Sequence, residues 1–147
     1  MRSLPDAIAG GACAESDVWA SSLRAEPEWE EVFSPLAPAP FALGLETVYE
    51  AYLVHYGTPR LFRPPDRDDA VLLGDYLYAH GLVRIASVGG VDAVEAMSRL
   101  ISRCAALRAE GADGDAEAWV DAARSLGGEP SEVEVEAALA RHSARVH

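Results

Sequence analysis

Asp75 is the first group in this chain that could do chemistry, because it sits inside the nearly apolar run Val71-Leu72-Leu73-Gly74-Asp75-Tyr76-Leu77-Tyr78-Ala79-His80-Gly81-Leu82. A carboxylate in an apolar helix must be hydrogen-bonded or paired, or else it becomes an acid or base with a displaced pKa. His80 can titrate near neutrality. Neither His80 nor Arg84 lies at a helical spacing that puts it on the face of Asp75, so the partner of the aspartate is expected on another helix. Arg60, Arg63 and Arg67 form the only local basic cluster. They could hold a diphosphate or an acidic partner helix through charge-assisted hydrogen bonds, or stand as solvated loop arginines. Asp68-Asp69 reads as helix capping and dipole complementarity rather than a metal site, with Asp68 the expected cap. No serine or cysteine carries a nucleophile motif and no glycine-rich phosphate loop is present, so no catalytic residue is assigned.

The elements that must position these groups are all helical in their periodicity. Residues 41–56 place Leu45, Val48, Tyr49, Tyr52, Leu53 and Tyr56 at helical spacing and predict an amphipathic helix. The apolar run predicts a central helix over 69–88, buried on several faces, with Gly74 and Gly81 on one stripe where another helix can approach closely. Gly89-Gly90 predicts a turn, and Val94, Met97, Leu100, Ile101, Cys104 and Leu107 then trace one face of a helix. A helix over 116–126 with Trp119 inward is stopped by Gly127, and Ser131 with Glu134 reads as a capping box that opens the last helix. Nearer the start, Ser16 or Asp17 could cap a short helix burying Val18, Trp19 and Leu23. Pro27 at a first turn suggests another, carrying Trp29 and Phe33. Residues 1–14 have little pattern and read as a flexible N-terminal arm ahead of a single helical domain over 15–147. The fold class is all-α, a helical bundle, with no alternating strand pattern to compete.

Composition limits the partners. The chain has 147 residues, 24 acidic and 12 basic, for a formal charge of −12. Such a field repels phosphate backbones and anionic membranes, so nucleic acid is excluded as a partner. Every basic residue is arginine, which leaves no lysine for phosphoryl or Schiff-base chemistry. Cys13 and Cys104 have neither metal-ligand nor disulfide-framework spacing, and Cys104 reads as a small core residue. With no leader pattern and no apolar run long enough to span a membrane, a soluble cytoplasmic protein is expected.

The residues Leu72-Leu73-Gly74-Asp75-Tyr76-Leu77 with Ala79, then Gly89-Gly90, then the helix from Ala93, resemble the middle of the trans-type polyprenyl diphosphate synthases, over about a third of the chain. Upstream, Tyr52-Leu53-Val54-His55 is similar to the family's lead into its first aspartate-rich motif, and Gly57-Thr58-Pro59 to the segment after it. The motif itself is missing, since Tyr56 alone stands between His55 and Gly57. A second aspartate-rich motif is also missing. The family clamps an allylic diphosphate with magnesium held by carboxylates on facing helices, which needs several hard oxygen ligands in near-octahedral array. The resemblance therefore implies a shortened isoprenoid-synthase bundle that has lost catalysis and needs no cofactor. It would act as a homodimer, as partner of a catalytic prenyl synthase subunit, or as binder of an isoprenoid ligand. The candidate ligand-binding residues are Asp75, His55, His80, Arg60, Arg63 and Arg67. The alternatives are an active prenyltransferase whose magnesium ligands are unrecognised, and an acidic protein-interaction module.

Overall fold

The computed structural model describes residues 2–146; Met1 and His147 lie outside the described residues. Among the described residues six α-helices follow one another: α1 (Leu4–Glu15), α2 (Asp17–Ser21), α3 (Ala42–Tyr56), α4 (Arg67–Glu110), α5 (Asp115–Ser125) and α6 (Glu132–Val146). Two 3-10 turns, Ser34–Leu36 and Ala39–Phe41, lead into α3. The class is all-α: the described residues contain no strand, only an isolated antiparallel bridge between Leu23 and Phe62. None of these helices is long and apolar enough to cross a membrane.

Helix α3 is the centre of the molecule. Every residue from Gly44 to Val54 is buried. One side, with Leu45, Val48, Tyr49 and Tyr52, joins Phe33, Met97, Leu100 and Trp119 in the larger apolar cluster. Ala51 and Val54, on another side, meet Ile8, Phe62, Leu73 and Leu77 in a second cluster. The amphipathic helix expected over 41–56 therefore has no solvent face through its middle, and Glu46, Thr47 and Glu50 are fully buried.

The opposite correction applies to the run expected as a central helix. The first half of α4 turns Leu73, Leu77 and Ile85 inward, but Leu72 is 56% exposed and Val83 65% exposed. The two helices exchange the roles their sequences suggest, because burial follows the number of neighbours and α3 has neighbours all round. Its polar side chains are tolerable there only because each finds a partner.

Glycine sets how closely α3 and α4 pack. A Cβ on Gly81 would lie 2.6 Å from Val48 Cγ2 and 3.4 Å from the Gly44 carbonyl oxygen. Gly44 answers from the other helix, where a Cβ would meet Ile85 Cδ1 at 2.7 Å. The close approach expected along the Gly74–Gly81 stripe is thus present. Gly90 interrupts α4 with φ 66° and ψ −154°, a conformation open essentially to glycine alone, so the Gly89-Gly90 turn becomes a sharp break inside one long helix. Beyond it Met97, Leu100 and Cys104 face the core as their spacing predicts.

Three local expectations fail for identifiable reasons. Asp66, not Asp68, caps α4, accepting from the Asp69 amide at 2.8 Å, so the helix starts at Arg67. Residues 4–14, expected as part of a flexible arm over 1–14, belong to α1; the Ser3 side chain accepts from the Asp6 amide, and Ile8 and Ala12 insert into the second cluster. Residues 27–33 are not helical. The Val32 and Ser34 amides donate to the Glu46 carboxylate, and the Glu28 amide to the Arg60 carbonyl, so tertiary partners take bonds that a helix would have used. Short helix α2 does form behind its Ser16 cap, but Val18 and Leu23 remain exposed.

The last two helices follow the sequence. Trp119 of α5 is buried, and Ser131 and Glu134 exchange side-chain-to-amide bonds at 3.2 and 3.1 Å ahead of α6. Gly81→Ala should lower stability by about 1–3 kcal/mol through overpacking against Val48, despite the better helix propensity of alanine. Urea unfolding checks this against Val83→Ala on the exposed face of the same helix, which should shift the midpoint little.

Candidate functional site

The three loop arginines do not converge. Arg60 is fully buried, with Nε donating to Glu50 Oε1 at 2.9 Å and Nη1 to Glu46 Oε1 at 2.5 Å. Its guanidinium also lies 4.3 Å from the Trp29 ring centroid and 5.0 Å from that of Tyr49. Burial draws its pKa down, but Glu46 and Glu50 outweigh that and hold it above the ordinary arginine value. The carboxylates are engaged further: Glu50 Oε2 accepts from the Arg60 and Leu61 amides at 3.0 and 2.8 Å, and Glu46 Oε2 from Val32 and Ser34 at 3.1 and 3.0 Å. Arg60 is therefore an internal structural cation, not a diphosphate ligand. Arg63 is exposed in a shallow surface cleft beside Leu23 and Arg24, and Arg67 is exposed at the start of α4.

Asp75 is not a buried acid: its side chain is 64% exposed. Its partner is on another helix, as the spacing argument required. His55 Nε2, on α3, lies 3.6 Å from Asp75 Oδ1 and 3.1 Å from the Val71 carbonyl oxygen. Gly74 makes room for this contact, since a Cβ there would overlap the His55 imidazole. The glycine-aspartate pair is thereby explained locally: Gly74 seats the ring and Asp75 flanks it. His80 points elsewhere, stacked on Tyr76 at 5.6 Å between centroids and close to α1. Burial, helped by Arg84, lowers its pKa below the ordinary histidine value. Six candidates thus fall into one pair, His55 with Asp75, and four separated positions.

The carboxylates do not fit a magnesium clamp. Glu46 and Glu50 are both paired with Arg60, and the Asp66 carboxylate caps the start of α4 at the Asp69 amide. Among the described residues no group of three or more His, Cys, Asp or Glu is placed to hold a metal ion.

Two surfaces stand out. The first is the outer stripe of α4, where Leu72, Ala79, Val83 and Ala86 lie on one helical face and all are exposed. Asp68 and Asp75 edge it. The second is a cleft of about 280 Å³ between the end of α3, the loop into α5, and α6, lined by Tyr52, Tyr56, Arg108, Asp115, His142 and Ser143 among others. Tyr52 donates its hydroxyl to Asp115 Oδ2, and Arg108 Nε approaches the same oxygen at 2.9 Å. Burial, then the bond to Asp115, raises the Tyr52 pKa well above the usual phenol value, so the hydroxyl stays protonated. His142 Nδ1 is hydrogen-bonded to the Tyr49 hydroxyl at 2.8 Å. Sequence reasoning missed this cleft because its polar groups come from four separate segments, with no spacing that links them. The one local signal was an acid at the first position of a helix, and that is explained equally well by the helix dipole.

Comparison with protein-family models, with curated proteins and with solved structures finds no match for this chain.

Two titrations test the described environments. Burial, reinforced by Asp115, pushes the Cys104 thiol up to about 12, so in native protein at pH 8 iodoacetamide should modify Cys13 and spare Cys104 until denaturant is added. For His80 the folded pKa lies below the unfolded value of about 6.5, so the unfolded chain takes the proton first. Its contribution to stability is complete above pH 6.5 and is lost as pH falls through the folded value. Thermal unfolding between pH 7 and 5 should show a smaller loss for His80→Gln than for the native chain.

Proposed function

We propose that this protein is a non-catalytic, isoprenoid-synthase-like helical subunit that docks on a catalytic prenyl synthase through the outer face of α4. The observation that carries the reading is the stripe of Leu72, Ala79, Val83 and Ala86, an apolar helix face left in water at the positions where the family resemblance is strongest. Covering such a face is favourable at about 25 cal/mol per Å² of apolar surface removed from water. The carboxylates of α3 support the non-catalytic part, because Glu46 and Glu50 are engaged by Arg60 rather than offered to a metal.

Charge decides between a second copy and another protein. Two chains of −12 repel at long range, and the acids Asp68 and Asp75 at the stripe would face each other in a self-dimer. The occupant is therefore a partner whose apolar helix face is rimmed by arginine or lysine. Gly74, with the His55 ring seated against it, fixes the inner side of α4 against α3 and so presents the outer side rigidly.

Light scattering on the chain mixed with a trans-type polyprenyl diphosphate synthase from the same genome tests the reading. A stoichiometric complex is expected, with Leu72→Glu and Val83→Glu weakening it by about tenfold or more each while leaving the helical spectrum unchanged. The chain alone, given allylic and homoallylic diphosphates with magnesium, should form no product. A self-dimer through this face, or a complex indifferent to both substitutions, would contradict the proposal.

A further inference from the structure

The cleft at the end of α3 has a chemistry that docking through α4 does not use. Asp115 is its buried carboxylate, 8% exposed, with Oδ2 taken by Tyr52 and Arg108. Its other oxygen, Oδ1, is buried and has no hydrogen-bond partner. A buried carboxylate oxygen without a donor is disfavoured, and the group that corrects it must bring an N–H or O–H.

The surrounding charges select the sign of that group. Arg108 is already committed to Asp115 and to the Ala112 carbonyl, and Asp113 adds a second carboxylate to the lining. The positive end of α5 is answered by Asp115 and Glu117 in its own first turn, which leaves nothing to attract an anion. The aromatic lining agrees: Tyr56, 37% exposed, offers ring surface to a cation, and Leu139 and Val146 offer apolar contact to a short alkyl chain. Because the Tyr52 hydroxyl remains protonated and gives its proton to Asp115, its oxygen lone pairs are left as a second acceptor.

We propose that this cleft, built on Asp115, Tyr52 and Tyr56, binds a small organic ammonium ion of the primary alkylamine class. The ammonium donates to Asp115 Oδ1 and lies against the Tyr56 ring, with the alkyl chain toward Leu139 and Val146. Oδ1 has no exposed surface, so a lining side chain gives way as the ligand enters. Ser143 lines the same cleft and is exposed at its rim.

A titration of the full chain with n-butylammonium chloride, followed by two-dimensional amide NMR, tests the proposal. Saturable shifts should appear at Tyr52, Tyr56, Asp115 and Ser143. Tetramethylammonium, which has no N–H to give, should bind about tenfold more weakly, and sodium butyrate should leave these signals unmoved. Asp115→Asn should weaken n-butylammonium binding by about tenfold, and Tyr56→Leu by a smaller factor. The tetramethylammonium comparison uses the native chain, so it decides the matter even where Asp115→Asn does not fold. Absence of saturable shifts, equal affinity for the two cations, or a preference for butyrate would overturn the proposal.

Discussion

A single arginine, buried with no solvent contact and shared between two glutamates of one helix, is the constraint on which this fold rests. Arg60 is paired with both Glu46 and Glu50, and the same two carboxylates accept amides from residues 32, 34, 60 and 61. One charge cluster therefore ties the irregular chain before α3 and the loop after it to the centre of the bundle. Trp29 and Tyr49 pack on the guanidinium and close it off from water. Such a triad adds little net stability over well-packed apolar residues, yet loss of one member leaves an uncompensated buried charge, at about 3–5 kcal/mol. Its effect is to fix one arrangement of two segments that are otherwise joined only by an isolated bridge and a few backbone bonds.

With both loops fastened, α3 can be enclosed on every side, and α4 is then left with a bare outer face. Gly44 and Gly81 let the two helices pass closely, and Gly74 admits the His55 ring. The cleft near the end of α3 follows from the same arrangement, because the tyrosines of α3 extend from the core to the rim, where Asp115 and Arg108 meet them. The exposed stripe on the first half of α4 and the cleft thus share no residue, and neither includes a member of the triad.

Local signals were legible wherever local bonding decides the structure. The Ser131–Glu134 box, the break at Gly89-Gly90, the inward face from Met97 to Cys104 and the close approach at Gly81 all follow from spacing and stereochemistry. Long-range bonding hid the rest. Glu46 and Glu50, four apart, look like a solvated helix edge until Arg60 is folded over them, and Arg60 looks like a loop cation until they are beneath it. Residues 27–33 resemble a helix start, but the Val32 amide is claimed by Glu46 and the Glu28 amide by the Arg60 carbonyl. Helix α1 is made of small residues with a weak pattern, and only the fit of Ile8 and Ala12 into the second cluster gives it a place. The cleft was illegible because its polar residues come from four segments that only the fold brings together.

Urea unfolding of Arg60→Met, of Glu46→Gln/Glu50→Gln, and of all three substitutions together tests most directly whether the triad governs the fold. Glutamine keeps an oxygen for the loop amides while removing the charge. The account predicts that Arg60→Met alone loses about 3–5 kcal/mol, and that adding the glutamines restores part of it, with non-additivity above about 1 kcal/mol. Losses that simply add, within about 0.5 kcal/mol, would show that Arg60 does not compensate these glutamates and would contradict the account.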